Sequence, residues 1–121
     1  MTSKLERLEL IATQLPEAER VDIEAWGGEP TFRVRGRNFV FAGQDGSTIS
    51  MKLPLDEAVA VVAMDPQASP TGYGLGRCGW VSVSLTGRLS VARWREVEEW
   101  VETSYTLVAP KALARQVLER D

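Results

Sequence analysis

The sequence predicts an α+β domain, an antiparallel sheet of about five to six strands with helices packed on one face. Three observations carry this. Leu5, Leu8, Ile11, Ala12 and Leu15 recur at helical spacing near one end, and Trp94, Val97, Val101 and Tyr105 do so near the other. Between them, segments around Thr31–Ala42, Thr48–Leu53 and Trp80–Leu85 alternate apolar and polar residues in the manner of half-buried strands. The chain has 121 residues, 44% of them hydrophobic, which suits one domain over 1–121 that buries well over half of its unfolded surface.

The elements follow in order. The first helix ends where Pro16 stops it. Val21, Ile23 and Ala25 alternate with Asp22, Glu24 and Trp26 as a strand before Gly27 and Gly28 turn the chain. Thr31–Arg35 and Asn38–Ala42 read as a hairpin around Gly36 and Arg37. In that register Val34 faces Phe39 and Phe32 faces Phe41, so all four apolar side chains share one face. Arg33, Arg35, Asn38 and Val40 then lie on the other. Thr48–Leu53 is expected to place Ile49, Met51 and Leu53 beside the phenylalanines. That requires an odd loop or a bulge near Asp45 and Gly46, and it adds Ser50 and Lys52 to the outer face.

Leu55–Met64 reads as a short helix after Pro54. Pro66–Gly79 has the proline and glycine content of a long exposed loop, with a possible short strand at Tyr73–Leu75. Gly74–Gly79 spells a dinucleotide-type glycine pattern, but turn residues precede it and the strand Trp80–Leu85 follows, where that chemistry needs a strand before and a helix after. A hairpin tip or wing is the simpler reading. Ser90 is placed to cap a long helix from Val91 to about Leu107. Pro110 fits the first turn of a last helix, in which Leu113, Val117 and Leu118 pack back.

Composition excludes several kinds of chemistry. The chain has no histidine and one cysteine, Cys78, so it builds neither a histidine triad nor the usual zinc site nor an internal disulfide. The longest apolar run, Ala58–Met64, is too short to cross a bilayer, and the N-terminus lacks the pattern of a signal sequence; a cytoplasmic protein is expected, with no membrane partner. The acidic runs Glu17–Glu24 and Glu96–Glu102 read as solvated faces. Ser104 and Tyr105 have no suitably placed base and read as helix-packing residues, the tyrosine hydroxyl bonded to nearby backbone. No catalytic residue, metal or cofactor is indicated, and a non-enzymatic protein is expected.

Five segments also form a pattern: WGGEPTFRV at Trp26–Val34, GRNF at Gly36–Phe39, SMKLP at Ser50–Pro54, GWVSV at Gly79–Val83 and SYTLVAPK at Ser104–Lys111. In this order and spacing the chain resembles the MmcQ/YjbR family, from about Leu15 to about Leu113. The resemblance implies a CyaY-like α+β fold in small bacterial proteins. It also implies a "double wing" shape for which the family is labelled DNA-binding.

Net charge is −3, against unselective coating of DNA, yet cationic residues are concentrated. Residues 31–53 hold four Lys or Arg against one Asp or Glu, and residues 77–95 hold four against none. Trp94 and Trp100 read as core residues of the long helix. Trp80 shares the phase of Ser82 and Ser84, and Trp26 that of Asp22 and Glu24, so both are candidates for exposed stacking surfaces; the alternative is that they shield a sheet edge or pack under the glycine-rich loop. The expected site is therefore Arg33, Arg35, Arg37, Lys52 and Arg77 with Trp80 and Trp26, binding DNA through a basic sheet face and hairpin wings. The alternative is a small-molecule or protein-binding domain with a Trp-lined pocket near the Gly72–Gly79 loop. The two differ in geometry: DNA needs both basic blocks on one continuous surface, whereas a ligand needs a concavity.

Overall fold

The computed structural model describes residues Ser3–Glu119, apart from the Trp26 side chain. Helix α1 (Lys4–Thr13) begins at a capping box, in which Ser3 accepts the Glu6 amide and Glu6 reaches back to the Ser3 amide. It is followed by β1 (Ala18–Ile23), β2 (Glu29–Val34), β3 (Arg37–Ala42) and β4 (Thr48–Lys52). Helix α2 (Leu55–Met64), β5 (Ala68–Pro70) and β6 (Trp80–Ser84) come next, then α3 (Val91–Val108) and α4 (Lys111–Leu118). The protein is α+β, with four helices and a six-stranded antiparallel sheet in the order β1-β2-β3-β4-β6-β5.

One sheet face meets the helices. Phe32, Val34, Val40, Ala42, Ile49, Met51, Val81 and Val83 join Leu8, Ile11, Trp94, Val97, Val101 and Tyr105 in one buried cluster. Helix α1 packs on β1 and β2, α3 on β3 and β4, and α2 on β5 and β6, while α4 packs on α3. Trp94 and Trp100 are core residues as the helical spacing predicts. In α4, Leu113, Ala114 and Val117 are buried, but Leu118 points to solvent.

The hairpin register differs from the sequence reading. The turn is Arg35 and Gly36, with φ of 51° and 79°, the two left-handed residues that a tight two-residue hairpin requires. Val34 therefore pairs with Arg37 and Arg33 with Asn38; after a bulge, Phe32 pairs with Val40 and Thr31 with Phe41. The extra residue is Phe39. It lets Phe39 and Val40, adjacent in sequence, both be fully buried, and it turns Phe41 to the face without helices. The next pairing is shifted too: Val40 meets Met51, Phe41 meets Ser50 and Ala42 meets Ile49. Ile49 and Met51 reach the core as expected, but alongside Val40 and Ala42 rather than Phe41.

Three further elements depart from expectation. Glu24–Trp26 closes as a 3-10 turn, so the first strand stops at Ile23. Val21 pairs with Thr31 and Ile23 with Glu29, which puts Val21 and Ile23 on the helix-free face. Arg20, of the opposite phase, reaches Glu9 of α1 at 2.6 Å and Asp22 at 2.8 Å. Finally, the strand inside the glycine-rich region is Ala68–Pro70, at the sheet edge where a proline costs no ladder bond, and Leu75–Cys78 is a 3-10 turn.

Candidate functional site

The helix-free face is built in rows by the sheet register. Arg33 and Asn38 pair across β2 and β3, and Lys52 and Trp80 pair across β4 and β6, at one end of the strands. The next row runs Val21, Thr31, Phe41, Ser50, Ser82 and Ser69. Its hydroxyls are linked: Ser50 Oγ lies 2.7 Å from Ser82 Oγ, which lies 2.9 Å from Thr71 Oγ1. The rings of Phe41 and Trp80 meet at 5.0 Å with planes tilted by 49°.

Above this row the chain from Thr71 to Gly79 folds back as a wall rather than a free wing. The Thr71 amide donates to the Trp80 carbonyl at 3.1 Å and the Leu53 amide to the Gly79 carbonyl at 2.9 Å. Gly79 has φ of 91°, and a Cβ there would lie 2.2 Å from the Leu53 oxygen. The wall and the strands enclose a hollow of about 620 Å³ lined by Glu29, Phe41, Thr71, Tyr73 and Leu75. A neighbouring hollow of about 350 Å³ shares Glu29 and Phe41 and extends over Gly43, Gln44, Thr48 and Ser50. Tyr73 is fully exposed at φ 59° between Gly72 and Gly74. No hydrogen bond or ion pair reaches the Glu29 side chain among the described residues.

The residues expected from sequence divide between this face and elsewhere. Arg33 lies on the helix-free face but half-buried, its Nε donating to Thr31 Oγ1 at 3.3 Å. Lys52 is half-buried on the same face. Arg35 is in the hairpin turn, not on the sheet face, and its guanidinium grips both oxygens of Glu17 at 2.6 and 2.9 Å. That contact lowers the Glu17 carboxyl below its ordinary range. Arg37 is exposed at the start of β3, in the phase of Val34, and Arg77 is exposed on the 3-10 turn. Trp80 is 8% exposed, packed under the wall against Phe41, so it offers no open stacking surface. The Trp26 side chain lies outside the described residues.

The two basic blocks do not form one surface. Arg93 of the second block is on the helix side, bound to Asp65 at 2.5 and 3.1 Å and to Glu96 at 3.3 Å. Arg33 and Lys52 on the helix-free face, Arg77 beside it, and Arg37, exposed in the phase of Val34, have no carboxylate partner among the described residues. No three Cys, Asp or Glu side chains among the described residues come together as a metal site requires. No helix among them is long and apolar enough to cross a membrane.

Glu29, Phe41, Thr71 and Tyr73 were not singled out by sequence. Alternation predicts Phe41 in the core, because the bulge at Phe39 leaves no mark in an apolar run. Tyr73 carried a signal, a large aromatic between two glycines in a polar loop.

The fold has a solved counterpart. The structure of Deinococcus radiodurans protein DR2400, whose domain is designated DUF419, matches with a TM-score of 0.72 and 23% identity over 99% of this chain and 91% of that one. At that identity the likeness establishes the fold. No curated protein sequence matches the chain. The model of the YjbR family matches residues 13–107, which include the bulged hairpin, the wall and the Ser104–Tyr105 pair; the chain belongs to the YjbR family.

Proposed function

We propose that this chain is a non-enzymatic binding module that takes a small planar ligand in the hollow of its helix-free sheet face. The observation that carries this reading is the 620 Å³ concavity, in which one aromatic ring, one exposed tyrosine, a hydroxyl and an unpaired carboxylate converge. Ligand sites are concave, mostly apolar and equipped with a few polar groups, and volumes of about 300–1,000 Å³ are usual. The pinned wall and the hydroxyl ladder beneath it support a site formed before the ligand arrives. Isotope-labelled protein titrated with a panel of small planar aromatic compounds tests the reading. Backbone resonances of Glu29, Phe41 and Thr71–Leu75 are expected to shift together. Shifts confined to the helix side would remove the hollow as the site.

DNA binding is a second reading, favoured by Arg33, Lys52 and Arg77, which stand on or beside the helix-free face without carboxylate partners. It requires affinity to fall steeply with salt, and each lost phosphate contact to lower the slope by about one unit. Arg77→Ala and Lys52→Ala are the informative variants. Arg35→Ala is a poorer probe, because Arg35 is already engaged by Glu17. Absence of binding to duplex and single strands at low salt removes this reading and leaves the hollow untouched.

A further inference from the structure

We infer that the hollow on the helix-free face is a site for a guanine base. The inference rests on the ligand-binding reading above and assigns the ligand class. Glu29 supplies the one carboxylate that lines the hollow, and no neighbour among the described residues occupies it. A carboxylate only accepts hydrogen bonds, and its two oxygens are best matched by two parallel N–H groups, as in a bidentate arginine pair. Among the common bases only guanine presents two adjacent donors on its pairing edge, the ring N–H and the exocyclic amino group. Adenine and cytosine set a ring acceptor beside their amino group, and uracil and thymine flank their N–H with two carbonyls, so each of these turns a lone pair toward the carboxylate.

The rest of the hollow fits a flat heterocycle. Phe41 supplies a ring from β3, held by Trp80 from below, and Tyr73 supplies a second from the wall. Bases read on their pairing edge are commonly held between such side chains. The cations stand at the opposite end of the face from Glu29. Arg33 is two residues along β2 from Thr31 and Lys52 two along β4 from Ser50, displacements of about 7 Å on the same face. The face thus has an acidic, base-reading end at Glu29 and a basic end at Arg33, four residues and roughly 13 Å apart along β2. A ligand with N–H donors on a ring and a separate anionic group, a guanine nucleotide either free or within a single strand, matches both.

The test is calorimetric titration of the intact protein with guanosine, inosine, adenosine, cytidine and uridine monophosphates, and with short single strands with and without guanine. Guanosine monophosphate is expected to bind best. Inosine monophosphate differs by loss of the amino group alone and should bind roughly ten- to a hundredfold more weakly, the usual effect of one hydrogen bond to a charged group. Glu29→Gln keeps the side-chain shape but exchanges one acceptor for a donor, and it should abolish the guanosine-over-inosine preference. Binding of the free nucleotide assigns the site to a nucleotide; binding seen only with the guanine-containing strand assigns it to a base within a strand. Equal affinity for guanosine and inosine monophosphates, or a preference that survives Glu29→Gln, overturns the guanine assignment while the hollow stands as a binding site. No binding by any nucleotide or strand also overturns it, and the aromatic panel then decides whether the hollow binds anything.

Discussion

Ser104 of α3 takes the place of a ladder hydrogen bond at Phe39: its hydroxyl donates to the Phe39 carbonyl at 2.6 Å and accepts the Lys52 amide at 2.9 Å. The β3–β4 pairing stops at Val40 and Met51, and without Ser104 the Phe39 carbonyl and the Lys52 amide would be left without partners. A hydroxyl can satisfy both because it donates and accepts at once. Ser104→Ala removes both bonds, each unsatisfied group costing about 1–3 kcal/mol, so denaturant melting should show a large loss for so small a change. A loss within the error of a surface substitution would mean that water replaces the serine.

The wall depends on Gly79 in a different way. Its φ of 91° and the 2.2 Å approach of a Cβ to the Leu53 oxygen mean that any side chain there must displace the strand it is bonded to. Gly74 has φ of 78° with nothing within 4 Å of a Cβ, so it is the natural control. Gly74→Ala should cost only the left-handed backbone, about 1–2 kcal/mol. Gly79→Ala should cost distinctly more and also weaken any ligand held in the hollow. Equal costs would show that the wall yields without resistance.

The helix periods, the alternating strands and the Ser90 cap were legible in the sequence because each depends on local pattern. The positions of Trp94, Trp100 and Tyr105 followed from helical spacing, and the Tyr105 hydroxyl does bond backbone, donating to the Pro16 carbonyl at 2.6 Å. The hairpin was not legible, for a definite reason. Residues Phe39–Ala42 are all apolar, so alternation cannot show which is the extra one, and a single bulge exchanges the faces of everything after it. Phe41 thereby left the core for the site. The arginines illustrate a second limit: which of Arg33, Arg35, Arg37, Arg77 and Arg93 is unpaired depends on Glu17 and Asp65, distant in sequence.

Trp80 separates packing from recognition. Being 8% exposed, it should behave as a core tryptophan, and Trp80→Ala should cost about 3–5 kcal/mol. Trp80→Phe retains a ring against Phe41 and should cost much less. A Trp80→Ala protein that melts like the parent would show that the wall opens and exposes this ring in solution.

The Asp65–Arg93 pair joins the end of α2 to α3, with both side chains more than four-fifths covered. Hydrogen bonding from Arg93, reinforced by the Gln67 amide, holds the Asp65 carboxyl below its ordinary range against the opposing effect of burial. A carboxyl depressed in the folded state releases its proton more readily there than in the unfolded chain. The pair therefore stabilises the fold fully above the unfolded value, near 3.9, and loses that contribution as pH falls through the lower folded value. Asp65→Asn should be less stable than the parent at neutral pH by about 1.5–3 kcal/mol, the usual range for a hydrogen bond to a charged group. The difference should shrink as pH drops below about 4, because the parent then loses its own charge. Melting both proteins across that window checks the sign: a difference that stays constant with pH would mean that shape or a neutral hydrogen bond, not the carboxylate charge, joins the two helices.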